Sequence, residues 1–169
     1  MGSDSALSKT GQPLTAGRHA LLAMAASVLI WPLASPAAAA LGGGAASVEA
    51  DRVHLSAASL VTTAAGYTTY ALTLPNGGVV KEFLGGDGAV FAVSWRAPGR
   101  PDLVQLLGDR FATFQSDNVP AAHHGRRRLP PAVNRPDFVV HSGGRPGAFH
   151  GVAYLPQQMP AGFSIKDMQ

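Results

Sequence analysis

The first residues able to do chemistry are in the run AAHHGRRRLPP, residues 121–131, where His123 and His124 precede Arg126, Arg127 and Arg128. Such a run invites a metal, a phosphate backbone or an acidic partner. Adjacent histidines diverge on a helix or a strand, however, whereas metal-binding pairs on one element sit about two to four residues apart. The guanidiniums repel a cation, and no Asp or Glu lies between Val119 and Arg135 to complete a shell. The run reads as a solvated loop with at most a weak attraction for anionic lipid.

His141 and His150 make a better pair. A hairpin symmetric about the intervening turn, residues 142–147, sets them opposite one another on one face, shared with Val139, Val152 and Tyr154. Cross-strand neighbours lie ~5 Å apart at Cβ, close enough for two imidazoles to share a metal or a proton. His141 and His150 are therefore the candidate metal ligands, and His54 joins them only if folding carries it there. The competing reading makes them structural histidines at a hairpin end.

Enzyme templates are absent. The chain has no Gly-x-Ser-x-Gly elbow, phosphate-binding glycine loop or His-Glu-x-x-His. Ser142 follows His141, but strand neighbours point to opposite faces and make a poor nucleophile–base pair. Glu82, beside Lys81, is the one mid-strand carboxylate of the central strands, and nothing in the sequence nominates a second acid for it. No catalytic residue and no cofactor is expected. Trp95 with Arg96, and Tyr67 with Tyr70, offer a stacking surface for a saccharide or protein. Tyr67 and Tyr70 should face opposite sides of a strand, one of them exposed; ordinary cross-strand packing is the competing reading.

These residues need elements to hold them. Ser47 suits an N-cap and Glu49 a first turn, which predicts a short helix over residues 48–57. Runs rich in Val, Thr, Tyr and Leu predict strands over 60–63, 67–74, 79–84 and 89–95. Pro75-Asn76-Gly77-Gly78 and Gly85-Gly86-Asp87-Gly88 turn the chain between them. In the last strand Phe91, Val93 and Trp95 alternate with smaller residues, so one face is expected to be buried. Pro101 and Asp102 open a helix whose Leu103, Leu106, Leu107, Phe111 and Phe114 form one stripe. A flexible loop is expected at about 116–137, then two short strands, 138–141 and 149–155, and a weakly ordered tail.

Composition sets the outer bounds. The 169 residues are 46% hydrophobic and 14% charged, with no cysteine, so disulfides, thiol catalysis and cysteine-held metals are excluded. Lys9 and Arg18 precede an apolar run, ALLAMAASVLIWPLA, followed by SPAAAA up to Ala40. This is the pattern of a Sec-type signal peptide, 1–40, cleaved between Ala40 and Leu41, with cleavage after Ala39 as the alternative. The run is short of the ~20 residues a membrane span needs, and Pro32 interrupts it. Loss of the leader removes Asp4, Lys9 and Arg18 and lowers the formal charge from +3 to +2, too little for a nucleic-acid partner.

Leu41-Gly42-Gly43, VFAVSW, PDLVQLLGDRF, FHGVAYLP and PAGFS together resemble a family of small exported proteobacterial proteins, number 2844 in the series of domains of unknown function. The resemblance covers nearly all of the chain after the leader. It implies secretion and a single domain, and brings no catalytic or ligand residues with it. The expectation is thus a periplasmic or secreted α+β domain, 41–169. Its antiparallel sheet of about five short strands carries one amphipathic helix on one face and a short N-terminal helix. The expected role is non-catalytic, binding or assembly with an envelope protein or glycan, with membrane contact only through the signal peptide. The rival is an envelope enzyme or metal-dependent accessory protein using the His141/His150 hairpin.

Overall fold

The computed structural model describes residues 41–118 and 130–168. The leader, and the histidines and arginines of the 121–131 run, lie outside the described residues.

A seven-stranded antiparallel sheet forms the body, in the order β1-β2-β3-β4-β7-β6-β5. Its first half is a meander: β1 (Ala58–Ala64), β2 (Tyr67–Thr73), β3 (Val79–Gly85) and β4 (Val90–Ala97). Asn76 and Gly77 make the β2–β3 turn as their chemistry suggests: Asn76 Oδ1 accepts from the Gly78 amide at 2.9 Å, and Gly77 takes φ +79°. The second half is β5 (Ala132–Asn134), β6 (Val139–Arg145) and β7 (Ala148–Tyr154), with β7 returning to pair with β4. The α+β class holds, but the strands number seven rather than about five. β5 comes from a stretch read as loop, where three residues carry too little periodicity to announce a strand.

The three α-helices of the described residues lie on one face. α1 (Ala45–His54) begins three residues before the predicted start, with Gly44 at the N-cap. Ser47 lies inside the first turn, where its hydroxyl donates back to the Gly44 carbonyl. The leucine stripe is helical but broken: α2 (Leu103–Leu107) and α3 (Phe111–Asp117) flank a 3-10 turn, Gly108–Arg110. Gly108, at φ +48°, is the break. Asp102 is the N-cap of α2 and accepts from the Gln105 amide. Val48, Leu106, Leu107 and Phe114 pack from these helices onto Leu72, Val80, Val93 and Trp95 of the sheet. Among the described residues no helix is long and apolar enough to cross a membrane.

The other face corrects two expectations. β4 is buried on both sides: Ala92 and Ser94 face away from Val93 and Trp95, and the register slip between Phe83 and Leu84 adds Phe91 to the side of Ala92 and Ser94. The tail is packed rather than loose. Phe163 meets Tyr67, Phe83 and Phe91 edge-on at centroid distances of 5.0, 5.3 and 4.7 Å, and Met168 is buried beside them. Four aromatics from separate parts of the chain thus bury part of the face that a one-sided reading left to solvent.

Candidate functional site

Three features of the fold offer a ligand or a partner something to hold. The first contains the predicted histidines. The β6–β7 turn is tighter than a six-residue link, since Arg145 pairs with Ala148 across Pro146-Gly147. The tighter turn moves the register by two residues: His141 lies opposite Val152, and His150 opposite Gly143. The histidines therefore keep a common face with Val139, Val152 and Tyr154, but sit diagonally rather than opposed. His141 Nε2 is 2.8 Å from Asn134 Oδ1 on β5. His54 is on the helix face instead, 4.0 Å from Asp102. Among the described residues no three or more His, Asp or Glu side chains gather to hold a metal.

Around the two imidazoles the sheet forms the floor of a groove of about 600 Å³, with Ile165 and Met168 of the tail as one wall. Two cross-strand rows make that floor. One runs Lys81–Ser94–Val152–His141, the other Val79–Arg96–His150–Gly143. Ser94 was not among the residues singled out from sequence, and Arg96 was singled out only as the neighbour of Trp95. Alternation along β4 was the available signal, since even positions share a face with Lys81 and Val79.

The second feature lies beneath the helices. Glu82, central in β3, is fully buried, and Asp51 of α1, also fully buried, faces it. Gln105 Nε2 donates to Asp51 Oδ1 at 2.5 Å. Asp51 Oδ2 and both Glu82 oxygens meet no donor from elsewhere in the described fold. A proton held between the two carboxyls supplies that donor. Burial pushes Glu82 up to about 9, and the neighbouring Asp51 adds to the rise. Burial also raises Asp51, against the hydrogen bonds from Glu82 and Gln105. This is the second acid that no sequence feature nominated. It sits 31 positions upstream of Glu82 on a different element, where no local spacing reports it. With neither side chain open to solvent, the pair is a structural link between α1 and the sheet.

The third feature is an edge. All seven residues of β1 are exposed, Leu60 at 69% and Val61 at 52%. The strand has no charge and no proline. At the opposite edge, β5 is short and covered: the Asn118 side chain accepts from the Ala132 amide at 3.0 Å and donates to its carbonyl at 3.3 Å. A side-chain amide there completes the ladder as a neighbouring strand would, and nothing equivalent covers β1 among the described residues.

Of the two readings of the aromatic residues, packing describes them better than a stacking surface. Trp95 is buried on the helix face against Gly151, while Tyr67 and Tyr70 are both half-buried on opposite faces, Tyr67 in the Phe163 cluster.

No curated protein and no solved structure matches the chain. Residues 37–168 match the family described as protein of unknown function DUF2844, as the motifs suggested, and the chain belongs to that family.

Proposed function

We propose that this is an exported, non-catalytic assembly protein of the cell envelope, and that it associates with a second copy of itself through β1. The observation that carries the reading is the contrast between the two sheet edges. A long, flat, uncharged edge strand exposes unpaired amides and carbonyls, and folds that stay monomeric blunt such edges with lysine, proline, bulges or a cover. β5 is covered, and no described residue covers β1 in the same way.

The composition of β1 favours its own copy as partner. Antiparallel pairing about a two-fold axis at Val61 sets Val61 against Val61, Leu60 against Thr62, Ser59 against Thr63 and Ala58 against Ala64. No like charges meet, and most of the pairs are β-branched or small. Such an isologous contact closes on itself as a dimer instead of propagating. Export rests on the leader pattern, and the burial of Leu41 agrees with a mature chain that starts there.

The envelope enzyme or metal-dependent reading has one observation in its favour, the shared face of His141 and His150. The buried carboxyls that would complete a site lie across the sheet from them.

The test is the mass in solution by sedimentation, across a concentration series, of the wild type and Val61→Lys. The wild type is expected to dimerise. Val61→Lys, which sets two cations against each other on the axis, is expected to stay monomeric and folded. A wild type that remains monomeric throughout, or a dimer indifferent to the substitution, overturns the proposal.

A further inference from the structure

The groove on the open face goes beyond this assembly role. Its least exposed polar residue is Ser94, 5% exposed, on the floor of the groove. A hydroxyl that lines a groove floor is placed to donate to or accept from a group that enters. Next along β4, on the same face, Arg96 is exposed and forms no ion pair among the described residues. His150 is its direct cross-strand neighbour, lying over Gly143, where the absence of a side chain leaves room for the ring. Guanidinium, hydroxyl and imidazole therefore share one end of the groove, and among the described residues no carboxylate lines it. Lys81 and His141 line the groove further along, and Val79, Val152, Ile165 and Met168 supply its apolar surface.

We propose that this groove binds a small amphiphilic anion. A carboxylate or phosphate head lies against Arg96, Ser94 and His150, and an apolar chain runs along Val152 and the Ile165–Met168 wall. The volume suits a small molecule, since ligand clefts run from roughly 300 to 1,000 Å³. The planar guanidinium can grip either head through two parallel hydrogen bonds. Ser94 selects for depth: only a head that reaches the floor meets its hydroxyl.

The experiment is calorimetric titration of the purified protein with decanoate and with decyl phosphate. Inorganic phosphate and decyltrimethylammonium serve as head-only and opposite-charge controls. One saturable site for at least one decyl anion is expected, with much weaker binding of both controls; the preferred anion identifies the head. Arg96→Gln should weaken that binding about tenfold, the size of one charge-assisted contact. Ser94→Ala, which leaves β4 intact, should weaken it severalfold. Equal binding of the cationic amphiphile, absence of binding by both decyl anions, or affinity unmoved by both substitutions would overturn the proposal.

Discussion

Asp51 and Glu82 face one another in the core, one on α1 and the other on β3, and between them hold a proton that water would remove. The helix and the sheet are joined by these two acids as well as by the apolar packing of Val48. The sign of the consequence follows from linkage. Glu82 is lifted from its ordinary 4.5 to about 9. Between those values the folded chain holds a proton that the unfolded chain has released, so stability declines as pH rises through the window. The decline is at most about 1.4 kcal/mol per pH unit for one group. Glu82→Gln keeps an N–H donor towards Asp51 and has no proton to lose. Thermal unfolding of the wild type should weaken from pH ~5 to ~9, and the variant should follow a flatter line and exceed it near pH 8. Equal slopes would refute the shared proton.

A second prediction concerns the contact between Trp95 and Gly151 on neighbouring strands. A Cβ at residue 151 would collide with the indole, 2.6 Å from Cε2, and would lie 2.7 Å from the His141 carbonyl. Neither a packed indole nor a strand carbonyl can move aside without disturbing the sheet. Gly151→Ala is expected to destabilise by about 2–3 kcal/mol, read by urea denaturation. A change below about 0.5 kcal/mol, the scale of an ordinary surface substitution, would show that the indole is not packed there.

The tail gives a third. Phe163 holds it down through three aromatic contacts. Phe163→Ala should cost about 2 kcal/mol, less than a fully buried phenylalanine because the ring is only half-buried. Proteolysis should then cut first after residue 155. Unchanged resistance there would mean that Met168 alone anchors the segment.

The start of the fold supplies a fourth. Leu41 is 5% exposed and its amide donates to the Leu106 carbonyl at 3.3 Å, while Gly42 and Gly43 pair with Val90. Cleavage after Ala40 keeps these contacts, and cleavage one residue later removes a core side chain. On the proposed export, the mature chain should begin at Leu41 by N-terminal sequencing, and Leu41→Ala should lower stability by about 2 kcal/mol. A mature chain starting beyond Leu41 would contradict this.

What the sequence disclosed was whatever is local. Asn76-Gly77 announced its turn, and the leucine stripe announced its helix, since each pattern is carried by neighbouring residues. The common face of His141 and His150 was legible because strand alternation is local too. Their register was not, because it depends on whether the turn uses two residues or six. The pairing of Asp51 with Glu82, the docking of Phe163 and the covering of β5 by Asn118 join distant parts of the chain, and each partner alone looks ordinary. The exposure of β1 was hidden for a similar reason: a strand's place at an edge is decided by the order of the whole sheet, not by its own residues.

The association at β1 is tested most directly by the register it requires. The chain has no cysteine, so a single introduced thiol reports unambiguously. In the antiparallel dimer residue 61 faces its own copy at a Cα separation of about 4.5–5.5 Å, within reach of a disulfide. Residue 63 lies opposite residue 59 and is too far from its copy to bridge. Under mild oxidation Val61→Cys should convert to a covalent dimer at low protein concentration, while Thr63→Cys should not. Equal cross-linking at both positions, or none at residue 61, would contradict the assembly proposed here.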